Sequence, residues 1–383
     1  MNRRNFLKGA TTAPLLAQSS VLGANDRIRV GLIGAGGRGN LLAGLLARVP
    51  GNQLVAACDV YEPRRLAAAE KMGSPAEAVA DHRRLLDRRD IDAVVIATPD
   101  HWHTPMTLEA VAAGKDVYVE KPVTHRLEEA DQLLAGVEKS GRLVATGTQQ
   151  RSWDHYLLAK QLIDGGRLGQ VTFVRTYWYQ DYLHARPPAP VDPAHLDWDK
   201  WLGPAPRQPF DLTRFRRWRL FWDFGGGVFT DLMTHWIDVV QWYLASPSPK
   251  SVQASGSTHA VKGVQTPDTV TATILFPNNC TVLYYGSMIG RLEGGGIVFR
   301  GTKGMMSLTR DGFEVYGEPE TGSGEKLPPP DMVVRSTGDG TLTNLKNWLD
   351  CIRSRQTPNA SLRAGVEAAR TSHLANAAMR ENR

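Results

Sequence analysis

Asp231 and His235 stand four residues apart in a run that is otherwise apolar, with Val228, Phe229, Leu232, Met233, Trp236, Ile237, Val239 and Val240 around them. On a helix that spacing puts both on one face. There they make a satisfied structural pair, two ligands of a metal ion, or an acid–base pair. No third residue with metal-ligand spacing accompanies them, so no metal site is expected. Asp238 continues the pattern, points elsewhere and reads as structural. Earlier in the chain, Glu120-Lys121-Pro122 sets a lysine directly after a β-rich run. Earlier still, Gly34-Ala35-Gly36-Gly37-Arg38-Gly39 is a G-x-G-x-x-G string between a strand-like and a helix-like segment. Gly34 permits a tight turn, Gly36 lets backbone approach a pyrophosphate, and Gly39 lets helix and strand pack closely. The amides at the helix start then face the anion.

The elements that must carry these residues alternate through the first part of the chain. Strand-like runs at Arg29–Ile33, Gln53–Cys58, Asp92–Ala97, Asp116–Val119 and Leu143–Ala145 are separated by helical patterns near Leu41–Val49, His101–Ala113 and Leu127–Ser140. This predicts an α/β protein whose residues 25–148 form a Rossmann domain, a doubly wound parallel sheet with its ligand at the carboxyl ends of the strands. Asp59 closes the second run 20 residues after Gly39, the place for a ribose 2′-hydroxyl. A carboxylate there repels a 2′-phosphate, so NAD is favoured over NADP, for which only Arg38 and Arg64 speak. The strand-end loops add Thr98, Pro99, His101 and His103, then Glu120 and Lys121, then Gln149. With Gly34, Gly36, Gly37, Arg38, Gly39 and Asp59 they are the expected cofactor contacts.

Residues 149–383 lose the alternation. A helix at Tyr156–Ile163 and an aromatic strand at Val171–Tyr179 precede an irregular stretch, Asp181–Phe221, rich in Pro, Trp and Arg. Long excursions of this kind are functional or pack as a lid. Gln150, Arg151, Tyr179 and Trp222 are the expected substrate contacts. Tyr182 and Trp218 also suit sugar rings, whereas Trp198 and Trp201 read as a satellite hydrophobic cluster. After a helix at Val228–Leu244, strands at Ser251–Thr258, Thr269–Phe276, Thr281–Ser287, Gly296–Arg300 and Met305–Thr309 predict a largely antiparallel open sheet in an α+β domain. Amphipathic helices at Leu342–Arg353 and Arg363–Met379 close the chain.

At 383 residues, with 42% hydrophobic and 22% charged residues, the chain is too long for one ordinary core and too apolar to be disordered. It holds no repeated apolar runs of about 18 residues, which excludes a membrane bundle. Of the net charge of +6, three charges belong to residues 1–24, and the arginine pairs elsewhere lie among acids, so nucleic acid is not an expected partner. Three scattered cysteines make no disulfide framework. The N-terminus, Asn2-Arg3-Arg4-Asn5-Phe6-Leu7-Lys8 followed by a weakly apolar Ala10–Leu22, matches a twin-arginine signal over residues 1–24. It implies export to the periplasm, with an uncleaved anchor as the one tie to a membrane.

Taken together, the glycine turn, Ala97-Thr98-Pro99 leading to His103, Glu120-Lys121-Pro122, and Gly225-Gly226-Gly227 spaced to Asp231, His235 and Asp238 resemble the Gfo/Idh/MocA oxidoreductases over nearly the whole chain after residue 25. The resemblance implies action on a sugar or related polyol, a dimer or tetramer paired through the second sheet, and a carbinol approached by Lys121, Asp231 and His235. Hydride loss from a carbinol needs a base for the hydroxyl proton. Lys121 and His235 are expected to share that task, with Asp231 orienting substrate or imidazole. Export removes a protein from any maintained nicotinamide pool, so a tightly held cofactor is expected. A sugar oxidoreductase is the leading reading. A redox-neutral, NAD-dependent glycoside hydrolase or lyase is the second, and a non-catalytic sugar-binding protein the third.

Overall fold

The computed structural model describes residues 27–181, 190–260, 263–319 and 327–382. The twin-arginine segment and Tyr182 lie outside the described residues. In the first lobe, β1 (Ile28–Ile33), α1 (Gly37–Leu46), β2 (Asn52–Cys58), α2 (Glu62–Met72), β3 (Glu77–Val79), α3 (His82–Leu86), β4 (Ala93–Ile96), α4 (His103–Ala112), β5 (Asp116–Val119), α5 (Glu129–Ser140) and β6 (Val144–Thr146) follow in order. All six strands are parallel, arranged β3-β2-β1-β4-β5-β6. Their central members are unbroken apolar runs such as Ala93–Ile96, as a sheet covered on both faces requires. The order reverses between β1 and β4, and a crevice opens there at the strand ends.

The second lobe contains α6 (Asp154–Asp164), β7 (Val171–Tyr179), the short helices α7 (Trp198–Leu202) and α8 (Leu212–Arg216), and α9 (Thr234–Tyr243). The strands β8 (Ser251–Ser257), β9 (Thr269–Leu275), β10 (Thr281–Ser287), β11 (Gly295–Gly301), β12 (Gly304–Thr309), β13 (Gly312–Gly317) and β14 (Met332–Arg335) come next, and α10 (Gly340–Ser354) and α11 (Leu362–Arg380) end the chain. The sheet runs β14-β13-β12-β11-β7-β10-β9-β8, antiparallel except for the parallel pair β7–β10. Its inner residues, among them Val174, Ile274, Val282 and Phe299, pack on α9 in one core. The other face is open, and Tyr177 stacks on Tyr285 there at 5.8 Å.

The structure adds to the sequence expectation the helices α2 and α3 and the strands β13 and β14, and differs from it in three further respects. The edge strand β3 is only three residues, Glu77-Ala78-Val79, mostly exposed and too short to leave an apolar signature. Helix α1 starts at Gly37 inside the glycine turn, where glycines conceal a helix start. The expected single helix at Val228–Leu244 is a π turn over Phe229–Met233 that passes into α9.

The last two helices bind the lobes together. Leu345, Trp348 and Leu349 of α10 lie in the first lobe's core with Leu32, Leu42 and Val95. Helix α11 gives Val366 and Ala369 to the first sheet's other face and Ala375 and Met379 to the second lobe. Buried histidines pin the seam. Nε2–H of His101 donates to Trp201 O at 3.1 Å, that of His125 to Trp222 O at 2.9 Å, and that of His373 to Thr124 O at 3.1 Å. Burial lowers the three pKa values from 6.5 to about 3, about 4 and about 4. The unfolded chain therefore binds protons that the folded one refuses. Stability is full above pH 6.5 and falls as pH drops from there towards 4, by up to about 1.4 kcal/mol per pH unit for each group. Denaturant melts from pH 7.5 to 4.5 should show this slope, and His125→Asn with His373→Asn should make it shallower, with His101 keeping part of it.

Candidate active site

The crevice begins at the glycine turn. Gly34 sits at φ +92°, and a Cβ on it would lie 2.7 Å from the Ala97 carbonyl carbon. A Cβ on Gly39 would fall 1.9 Å from Gly34 O, so the first turn of α1 lies directly on the loop that follows β1. Gly36 and Gly37 are open towards the cleft, and no side chain caps α1, whose first amides are left for an anion. Asp59 at the end of β2 braces this turn. Its Oδ2 accepts from Ala35 N at 2.9 Å and its Oδ1 from Tyr61 N at 2.8 Å. Burial pushes its carboxyl up, against the opposing pull of Arg64. Arg38 turns inward and donates from Nε to Glu120 Oε1 at 2.7 Å.

The next two loops meet through His103, whose Nδ1 lies 2.6 Å from Pro122 O and Nε2 3.0 Å from Thr98 O. Thr98 Oγ1 and Gln149 Oε1 are buried on the cleft wall and have no partner among the described residues. Pro99 lines the same wall.

Lys121 lines the same cleft beside Asp231 and Arg219. Its Nζ donates to Asp231 Oδ1 and to Asp231 O, both at 2.8 Å. Arg219 Nε donates to the same Oδ1 at 3.0 Å. The π turn carries Asp231 to this point. Gly227, at φ +65° with Thr266 against it, and Gly226, whose carbonyl accepts from Asn376 Nδ2 at 2.9 Å, fix where that turn starts. Burial alone would raise the Asp231 carboxyl, but Lys121 and Arg219 overcome it and hold it well below the usual carboxylate range. Asp231 therefore grips the lysine and arginine, and no bond joins it to His235. The His235 ring stands 5.2 Å from that of Trp178, and its Nδ1 has no partner among the described residues. Burial, then Lys121, Arg310 and Arg38, push its pKa well below 6.5, so the imidazole is neutral.

Sequence reasoning missed Asp100, Trp178, Gln180, Arg219 and Arg310, all of which line the cleft. Burial lifts the Asp100 carboxyl well above its ordinary range, and its aspartate neighbour Asp231 adds to this while Lys121 opposes. The loop following Pro99 was a signal for Asp100. Arg219 lies six residues before the Gly225-Gly226-Gly227 motif but within an Arg-rich stretch, and Arg310 lies far from any motif.

Other expected contacts are elsewhere. His101 faces Trp201 and Phe224 beneath the cleft, because its ring is the seam pin described above. Arg151 is committed to buried Asp238, with Nε at 2.8 Å from Oδ1. Gln150 is fully buried behind the wall. Tyr179 belongs to the open sheet face beside Tyr285, and Trp222 lies under Arg380. Trp198 and Trp201 stack at 4.6 Å within the second core.

A segment of the second lobe, residues 190–221, folds over the first lobe at the far end of the cleft. Leu196 bridges to Tyr61, Asp197 N donates to Val60 O at 3.1 Å, and His195 Nδ1 lies 2.7 Å from Glu62 Oε2. Arg64 stacks 4.9 Å above Phe215, and Trp102 Nε1 donates to Trp201 O at 2.9 Å. The cleft beneath has a volume of about 490 Å³.

Residues 28–148 match the oxidoreductase family's NAD-binding Rossmann fold, and residues 160–383 match its C-terminal alpha/beta domain, both of the Gfo/Idh/MocA type. The chain belongs to the Gfo/Idh/MocA oxidoreductase family. It is 28% identical to the uncharacterised oxidoreductase YdgJ of Escherichia coli K12 over 329 residues, 84% of this chain and 82% of that one. Over 144 residues, 34% of this chain and 31% of the other, it is 41% identical to glycosyl hydrolase family 109 protein 2 of Shewanella sp. ANA-3. The fold superposes on levoglucosan dehydrogenase in complex with NADH and L-sorbose with a TM-score of 0.76 at 20% identity, covering 93% and 98% of the two chains. The cofactor is NAD, and the residues of this Gfo/Idh/MocA cleft fit it: an uncapped helix start behind two open glycines, and orphaned Thr98 and Gln149 oxygens where polar groups must be met. Gly39→Ala should therefore cost at least about tenfold in NAD content, read as nucleotide released on denaturation, because the new Cβ drives α1 off its loop. Gly44→Ala, with nothing within 4 Å of the added carbon, should keep its content.

Proposed function

We propose that this protein oxidises a hydroxyl of a sugar or sugar derivative by hydride transfer to a tightly held NAD. The contact that carries the reading is Lys121 Nζ against Asp231 at 2.8 Å, beside neutral His235, in the cleft that begins at the glycine turn. Bound NAD supplies the hydride acceptor. The chain's own residues manage the proton. The neutral imidazole of His235 is able to take the hydroxyl proton as the C–H bond breaks, and Lys121 holds the same oxygen and passes charge to and from it. Asp231, kept anionic, orients Lys121. Thr98 and Gln149 complete the wall against which the substrate carbon is set.

Segment 190–221, pinned to the first lobe at several points, supports a cofactor that stays in place between turnovers. We propose export by the twin-arginine route with NAD already bound, residues 25–148 as the nucleotide domain, residues 149–383 as the substrate and assembly domain, and pairing of subunits through the open sheet face that carries Tyr177 and Tyr285.

Lys121→Met tests the assignment. It should retain released NAD at the wild-type amount and lose about 10²–10⁴-fold in turnover of the best free sugar. Full activity would remove Lys121 from the chemistry. The match to glycosyl hydrolase family 109 favours one second reading, transient ring oxidation followed by elimination and return of the hydride. It predicts release of the chromophore from a chromogenic glycoside with no added NAD and no net NADH. The oxidoreductase reading predicts NADH in proportion to free sugar.

A further inference from the structure

The nucleotide contacts expected from the sequence all lie between Gly34 and Gln149, yet the cleft has a second wall. Lys200, Trp201 and Phe215 of segment 190–221 line it together with Gly36, Asp59 and His82 of the first lobe. Asp59 closes β2, where a Rossmann crevice receives the adenosine ribose of a dinucleotide. The second lobe therefore faces the end of NAD that takes no part in hydride transfer. Chemistry at the carbinol does not explain that coverage. Retention of the nucleotide does.

The segment is tied down on both sides of the crevice. Beyond β3, Lys200 Nζ lies 3.5 Å from Asp81 Oδ2 at the head of α3. Beyond β2, Leu196 pairs with Tyr61 in an antiparallel bridge, Asp197 N donates to Val60 O at 3.1 Å, and Arg64 stacks 4.9 Å from the Phe215 ring centre. After β4, Trp201 O accepts from Trp102 Nε1 at 2.9 Å and from His101 Nε2 at 3.1 Å. Gly203 sits at φ +52°, so close to Trp102 that a Cβ would fall 2.0 Å from its ring. The glycine turn after β1 lies between these two sets of ties, because the sheet order is β3-β2-β1-β4. Each tie alone is weak, but opening one side requires several to break at once.

We propose that residues 195–203 with Phe215 form the outer half of the nucleotide site, a strap that encloses the adenosine end and makes NAD a resident group of the protein. They position and retain the nucleotide and touch no reacting atom. The inference rests on the held NAD of the reading above and assigns the holding to named residues, so its test needs no sugar. Facing residues of an antiparallel bridge have Cα atoms about 4.5–5.5 Å apart, within reach of a disulfide. Tyr61→Cys with Leu196→Cys therefore allows the strap to be locked and unlocked in one protein. Release of the protein's own NAD is followed with excess alcohol dehydrogenase and ethanol, which convert free NAD to NADH.

The oxidised pair should release NAD at least about tenfold more slowly than the same protein reduced with dithiothreitol, while wild type ignores the reductant. In the opposite direction, His195→Ala with Lys200→Ala removes the contacts to Glu62 and Asp81 and should speed release about threefold or more, with the melting temperature of the nucleotide-free protein unchanged. Both side chains are exposed, so this variant reads the rate even where the cross-link does not form. Equal release from the oxidised and reduced forms, or release from the double alanine variant at the wild-type rate, overturns the strap. So does a faster release that comes only in step with a lower melting temperature. Wild type that yields no nucleotide on denaturation overturns the held-NAD reading, and the strap with it.

Discussion

Oδ1 of Asp231 accepts from two cations that arrive along separate stretches of chain, Lys121 from the loop after β5 and Arg219 from the segment that crosses the cleft. A carboxylate taken this far out of water is tolerable only while its partners stay, and removing one leaves a buried charge uncompensated. The contact therefore fixes three backbones relative to one another: the Glu120-Lys121-Pro122 loop, the turn at 218–220 and the π turn that presents Asp231. The glycines at 225–227 serve the same end, because a Cβ on Gly225 would press on Arg219 and Trp218, and one on Gly226 or Gly227 would displace Thr230, Asn376 or Thr266. His235 lines the same cleft against Trp178, with no bond to Asp231 and its pKa held well below 6.5.

The covering segment joins the two ends of the cleft. At one end it holds Arg64 and Tyr61 under Phe215 and Leu196, and at the other it delivers Arg219. Its individual surface contacts are weak, but they break together if the lobes part. The far end of the cleft and the Asp231 cluster are thereby joined through one piece of chain.

Much of this was legible before any coordinates. The parallel strands β1, β2, β4 and β5 announce themselves because buried strands are short apolar runs, and the glycine turn does so because only glycine satisfies φ +92° at Gly34 and the 1.9 Å approach at Gly39. Lys121, Asp231 and His235 were singled out by residue type, spacing and the family resemblance, and the fold brings all three to one cleft. Other features depend on proximity that spacing does not encode. Arg219 and Arg310 lie about 90 residues apart in the chain, and nothing local distinguishes them from solvated arginines. The π turn adds one residue of winding, and the shift it makes in the apolar face is invisible because Phe229–Gln241 is buried on every side. Arg151 and His101 have the right types at strand ends, yet Asp238 and the Trp201 carbonyl claim them first.

The placement of α10 has a consequence for synthesis. Trp348 fills a space against Tyr118, with ring centres 5.7 Å apart, in a sheet whose strands end at residue 146. A ribosome that has just released β6 holds a nascent lobe with one layer of its interior bare, and some two hundred further residues must emerge before the gap can be filled. The early domain must wait, partly wet, for the last helices to dock. Chaperone engagement during translation would fall in that interval, and nucleotide capture by the finished crevice would follow it.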